Sequence, residues 1–198
     1  MANSYTQIHI QFVFAVKYRA ALIDNNWKER LHQYITGIFQ QNKHKMLQIN
    51  SMPDHIHIFI GMCPDQSVSS LIQNVKTESS KWIKTQNLCP APFAWQEGYG
   101  AFSYSKSQVP DVVRYIQNQE TRHSNETFLD EYKKLLTAFE IEWDEKYIFK
   151  NLELRLYHAF LRNADNYFNL FYQPNVPNGT TWIAKNIPKS FNSFVLHN

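Results

Sequence analysis

Residues 7–18 read QIHIQFVFAVKY, in which Ile8, Ile10, Phe12, Phe14 and Val16 fall on alternate positions. A period of two marks a strand with one face set into a core, so a first strand is predicted there. Asp24 or Asn25 then stands where a helix cap belongs. From there Trp27, Leu31, Tyr34, Ile35, Ile38 and Phe39 recur at helical spacing to about Lys43. Two strand-like pieces follow, MLQINSM and HIHIFIGM, divided by Pro53 and Asp54, and they read as a hairpin. After Pro64 and Asp65, Ser67 or Ser69 opens a second helix carrying Val68, Leu71, Ile72, Val75, Trp82 and Ile83. The proline-containing LCPAP ends it.

FAWQEGYGAFSYS is aromatic and extended, with Gly98 and Gly100 marking a bend or bulge. Its aromatics can fill a core or stack on splayed bases. A third helix is predicted from about Ser107 to about His123, with Pro110 tolerated only in its first turn. TFLDEYKKLLTAFE supplies a fourth. The order βαββαβ followed by helices predicts an α+β fold, ferredoxin-like or RRM-like. In it an antiparallel sheet carries helices on one face and a further helix is added C-terminally. The other face of the sheet is left for a site.

Composition narrows the class. A chain of 198 residues with 43% hydrophobic content can bury a core in one domain. No apolar run approaches the roughly 20 residues of a membrane span, and the N-terminus has no signal-peptide pattern. Cys63 and Cys89 stand far apart and outside any C-x-x-C, so neither a disulfide framework nor a thiolate zinc site is expected. A cytoplasmic protein is the expectation. Charge is unevenly spread: residues 1–119 hold 11 Lys and Arg against 7 Asp and Glu, residues 120–150 hold 5 against 8. In the basic part Lys43, Lys45, Lys76, Lys81 and Lys84 suit either phosphates or an ordinary solvated face.

Chemistry concentrates in MPDHIHIFIG. Side chains alternate across a strand, so Ile56, Ile58 and Ile60 share one face while His55 and His57 share the other. Two imidazoles on one face form half of a metal site, or simply the polar side of a half-exposed strand. In the third helix, Tyr115 and Gln119 lie four apart and therefore one above the other, at the edge of the apolar stripe of Val112, Val113 and Ile116. Tyrosine there is an ordinary rim residue or a reacting group, and the carboxamide is a possible oxygen ligand for a hard cation.

PDHIHIFIG, a His-hydrophobic-His motif, followed by GYGAFSYSKSQVPDVVRYIQNQETRH with its Y-I-x-x-Q helix, resembles the single-tyrosine transposases of small bacterial insertion sequences and their REP-associated relatives. The likeness runs from about Tyr5 to Phe149. It implies a DNA transposase that cuts and rejoins single-stranded DNA beside hairpins at the element's ends. His55, His57 and Gln119 would be ligands of Mg²⁺ or Mn²⁺ and Tyr115 the nucleophile, leaving a 5′-phosphotyrosine link and a free 3′-hydroxyl. It also implies a homodimer, with active sites that can be shared in trans between subunits. A domesticated nickase acting on chromosomal repeats would use the same chemistry. A non-enzymatic RRM-like nucleic-acid-binding module would leave these four residues incidental.

Residues 151–198 extend beyond the resemblance, with 9 Asn and little charge. Leu152, Leu156, Phe160, Tyr167 and Phe171 fit one helical stripe. The expected division is a transposase domain over 1–150 and a C-terminal extension over 151–198.

Overall fold

A computed structural model describes residues 5–144 and 148. The expected boundary near residue 150 and the helical stripe beyond it lie outside the described residues. The elements are β1 (His9–Ala15), α1 (Asn25–Gln41), β2 (Lys45–Ser51), β3 (His55–Gly61), α2 (Val68–Thr85), β4 (Gly100–Tyr104), α3 (Val109–Gln117), α4 (Gln119–His123) and α5 (Phe128–Ala138). The four strands form one antiparallel sheet in the order β2-β3-β1-β4, the α+β arrangement that the element order predicts. β1 and β3 are central, and their register sets Val13 opposite His57 and Ala15 opposite His55.

The alternation on these two strands builds one core on each face. On the first face Ile10, Phe12, Phe14 and Val16 of the first strand region meet Ile56, Ile58 and Ile60 of β3. The buried stripes of α1 (Trp27, Leu31, Ile35, Ile38, Phe39) and α2 (Leu71, Ile72, Val75, Ile83) close over them. Each fully buried Phe or Ile contributes about 1.5–3 kcal/mol relative to exposure, so this face anchors the sheet. Asp24 caps α1 by accepting from the Asn26 amide at 2.7 Å, and Ser67 caps α2 by accepting from the Ser70 amide at 3.2 Å. The aromatics before β4 belong to this core: Trp95 is buried against Phe14 and Phe93, and its indole N–H donates to Ser79 Oγ at 2.8 Å. Lys76 is not a phosphate ligand in waiting. Its ammonium donates to the carbonyls of Gln96 and Gly98 and lies over the Phe14 and Tyr99 rings, where burial pushes it down to about 8.

The second face is covered as well. Val13, Ala15 and Phe102 meet Phe128, Tyr132 and Leu136 of α5, while Phe59 meets Val112 and Ile116 of α3. Here two sequence expectations are corrected. The β3 face bearing His55 and His57 is not half-exposed; both histidines are fully buried. The third helix is not continuous to His123. A 3₁₀ turn over Lys106–Gln108 leads into α3, and α3 breaks at Asn118, whose φ of −92° and ψ of 20° leave the helical basin. Asparagine breaks there readily because it favours caps and turns over helix interiors. Gln119, the first residue after the break, is buried and not on the rim.

Candidate active site

His55 and His57 project from the middle of the sheet because β3 alternates and because α3, α4 and α5 roof that face. Each imidazole is oriented through its Nδ1. His55 Nδ1 is 2.7 Å from Asp54 Oδ1, and Asp54 is held in turn by Arg19, whose Nε and Nη2 donate to Oδ2 at 3.3 and 3.2 Å. Arg19 reaches this position from a turn in which both Tyr18 (φ 60°) and Arg19 (φ 56°) adopt left-handed conformations. Such backbone is costly for residues with a Cβ and persists where surrounding contacts fix it. Burial lowers the His55 imidazole to about 4 despite the opposing pull of Asp54, so it is neutral at physiological pH and its Nε2 lone pair is available. Asp54 stays well below the usual carboxylate range: burial pushes it up, but His55 and Arg19 together outweigh burial.

His57 Nδ1 is 3.0 Å from Gln11 Nε2, and the Gln11 carboxamide oxygen accepts from the Tyr104 hydroxyl at 2.8 Å. A half-turn of the amide lets its oxygen accept from Nδ1–H while the Tyr104 oxygen accepts from the amide N–H. Either tautomer of His57 is therefore supported. With Nδ1 protonated, His57 Nε2 is a metal-ligand nitrogen like that of His55.

The break at Asn118 does not separate Tyr115 from Gln119. Tyr115 O–H donates to Glu131 Oε1, and Gln119 Nε2 donates to the same oxygen at 2.8 Å. The Tyr115 ring centroid lies 6.0 Å from that of His57. The four residues singled out in the sequence thus converge within one chain. Burial, then the charge and hydrogen bond of Glu131, raise the Tyr115 phenol, with a smaller opposing effect from Gln119 and from Arg122, whose guanidinium sits 4.5 Å over the ring. Tyr115 is half-buried and opens onto a groove of about 450 Å³ lined by Tyr104, Gln108, Asp111, Arg114 and Arg122 among others.

Sequence reasoning missed two members of this cluster, His123 and Glu131. The Glu131 carboxylate is central: Oε2 stands 3.1 Å from His123 Nε2, 3.3 Å from His57 Nε2 and 3.9 Å from His55 Nε2. Burial opposes its charge, yet His57, His123 and Tyr115 together hold it far below the usual carboxylate range. Neither residue stands at a telling spacing from the others, and only the turn between α4 and α5 brings them in.

The residues fit a cation. Among the described side chains, the buried atoms His55 Nε2, His57 Nε2 and Gln119 Oε1 make no hydrogen bond. Buried polar atoms are almost always paired, so the two imidazole nitrogens that face Glu131 and the Gln119 oxygen are lone pairs still without a partner. His55, His57, His123 and Glu131 each offer an atom, and those four atoms lie within 4.8 Å of one another.

Against known proteins, residues 4–119 match the family model described as Transposase IS200 like, a span that includes His55, His57, Tyr115 and Gln119. The chain belongs to that transposase family. It is similar to the ISDra2 transposase TnpA of Deinococcus radiodurans, with 20% identity over 118 residues that cover 57% of this chain and 84% of the relative. Among solved structures, a candidate transposase of Deinococcus radiodurans R1 shares 20% identity at a TM-score of 0.48, covering 60% of this chain and 96% of the other. A REP-associated tyrosine transposase bound to a REP hairpin shares 14% identity at a TM-score of 0.48, covering 62% and 73%. Among the described residues no helix is long and apolar enough to cross a membrane.

Proposed function

We propose that this transposase cleaves and rejoins single-stranded DNA by attack of Tyr115 on a backbone phosphate, with His55, His57 and Gln119 holding a divalent ion, Mg²⁺ or Mn²⁺. The observation that carries the reading is the meeting of His55, His57 and Tyr115 on one carboxylate: Glu131 Oε2 lies 3.3 Å from His57 Nε2 and 3.9 Å from His55 Nε2, while Oε1 accepts from the Tyr115 hydroxyl. When bound, the ion supplies positive charge to offset what builds on the phosphoryl oxygens.

The chain's own residues do the rest. Glu131 and Gln119 fix the phenol, and Arg114 and Arg122 line the groove by which a phosphate reaches it. Because the phenol is raised, it meets the DNA protonated, and its proton leaves along the hydrogen bond to Glu131 as the O–P bond forms. The bond from phosphorus to the 3′ oxygen breaks, and that oxygen takes up a proton equivalent to the one Glu131 received, by way of solvent, to become the free 3′-hydroxyl. The 5′-phosphotyrosine keeps the energy of the phosphodiester, so a second 3′-hydroxyl can reverse the step without ATP. Element-end hairpins are the proposed substrate and a cytoplasmic homodimer the proposed assembly, both from the family resemblance. The meeting of Tyr115 and His57 within one chain supports a site completed in cis. Incubation with hairpin-bearing single strands and Mn²⁺ tests the reading: a denaturation-resistant protein–DNA adduct is expected, and it should vanish with chelator.

A further inference from the structure

His123 and Glu131 lie outside the matched family span, and neither was given a role from the sequence, yet they face the same point as the strand-borne pair. We propose that both are ligands of the cation, making a centre of three imidazoles and a carboxylate that selects Mn²⁺ or a borderline ion such as Fe²⁺, Co²⁺ or Zn²⁺ over Mg²⁺. Glu131 ties that centre to the nucleophile. This deepens the metal-assisted reading above and rests on it.

Two of the Glu131 distances are those of a coordination sphere, and the one to His55 is a few tenths of an ångström longer. With metal–ligand bonds of about 2.0–2.2 Å, neighbouring donors stand roughly 3.0–3.6 Å apart. Glu131 Oε2 lies 3.1 and 3.3 Å from His123 Nε2 and His57 Nε2, and 3.9 Å from His55 Nε2. The imidazoles are also turned as ligands are. His123 Nδ1 is 3.0 Å from the Glu126 carbonyl, which can only accept, so Nδ1 carries the hydrogen and Nε2 faces the cluster. Asp54 holds the Nδ1 of His55 in the same way, and Gln11 does so for His57 once its amide is turned to present its oxygen. Three rings, each anchored at Nδ1 by a separate partner and each presenting Nε2 to one point, match the way metal-binding histidines are held by hydrogen bonds at their other ring nitrogen.

A plain ion-pair network does not account for this arrangement. One carboxylate oxygen cannot pair well with three imidazoles, and His55 Nε2 and His57 Nε2 are left without a hydrogen bond. The two Glu131 oxygens instead divide the work: Oε2 faces the imidazoles, while Oε1 accepts from Tyr115 and Gln119. A donor set rich in imidazole suits borderline ions, whereas Mg²⁺ prefers oxygen and water.

The test is metal binding by the full chain, independent of activity. Calorimetric titration with Mn²⁺ and Mg²⁺ is run on the wild type, His55→Ala, His123→Ala and Glu131→Gln, with circular dichroism as the folding check. An anomalous difference map is collected from wild-type crystals soaked in Mn²⁺. The expected result is Mn²⁺ binding at least tenfold tighter than Mg²⁺, a loss of tenfold or more in each variant, and a peak at ligand distance from His123 Nε2 and Glu131 Oε2. The map reads the ligands even where a variant fails to fold. Mn²⁺ bound by His55 and His57 with His123 and Glu131 outside ligand distance overturns this inference and leaves the proposed function standing, as does equal affinity for Mg²⁺. A wild type that binds neither ion overturns both.

Discussion

Gln119 has two atoms with opposite duties. Its amide N–H donates to Glu131 while its oxygen is buried without a partner. Replacing it by Glu removes the donor and sets a second carboxylate against the first. Gln119→Glu should therefore be destabilised by about 1–3 kcal/mol in chelator, and the loss should shrink when Mn²⁺ is added because an anionic ligand gains most from the ion. Thermal unfolding with and without Mn²⁺ measures this; equal destabilisation under both conditions would remove Gln119 from the ligand set. Asp54 acts one step further out. Asp54→Asn keeps the shape of the Nδ1 contact but loses its charge and the pairing with Arg19, so Mn²⁺ affinity should fall by about 10–100-fold. A calorimetric titration that gives unchanged affinity would show that backbone packing alone sets the His55 ring.

At the scale of elements, the strands and long helices were legible because each has one apolar face. β1 alternates Ile10, Phe12, Phe14 and Val16 into one core, and α1 repeats Trp27, Leu31, Ile35 and Ile38 into the same core. What period alone could not show was the roof on the other face. Val13 and Ala15 lie on the face of β1 that the alternation left unassigned, and the burial of His55 and His57 depends on α3, α4 and α5 arriving from later sequence. His55 and His57 were readable from adjacent alternate positions, and Tyr115 and Gln119 from the resemblance. His123 and Glu131 were not, since they are joined to the pair only by tertiary packing. The entrance to β4 is equally dependent on that roof. A Cβ on Gly100 would lie 2.8 Å from the Phe102 ring and 2.9 Å from the Tyr132 ring and hydroxyl. Gly100→Ala should accordingly cost about 1–3 kcal/mol through overpacking between β4 and α5. An unfolding midpoint in urea equal to the wild type would mean that α5 can move away from the sheet.

For the molecule as a whole, acid stability is governed in part by a histidine away from the site. His32 of α1 is buried, with Nε2 2.9 Å from Ser51 Oγ, and burial with the nearby Lys28 lowers it to about 4. In the unfolded chain it titrates near 6.5. The unfolded state therefore binds the extra proton first. Stability from this group is full above pH 6.5 and falls as pH drops toward 4, by about 3 kcal/mol at the lower limit. His32→Gln should flatten the dependence of the unfolding free energy on pH across that window, measured by urea titration at several pH values. An unaltered slope would assign the acid sensitivity to other groups.

Attack by the Tyr115 oxygen joins that residue to DNA, so the proposed reaction is tested by finding which residue carries the DNA. Full-length protein is incubated with a hairpin-bearing single strand and Mn²⁺, then digested, and the nucleotide-linked peptide is sequenced by mass spectrometry. The account predicts a 5′-phosphate on Tyr115, with no adduct in Tyr115→Phe although hairpin binding persists, because only the hydroxyl has been removed. An adduct on another residue, such as Tyr104 or Tyr99, or an undiminished yield in Tyr115→Phe, would contradict it.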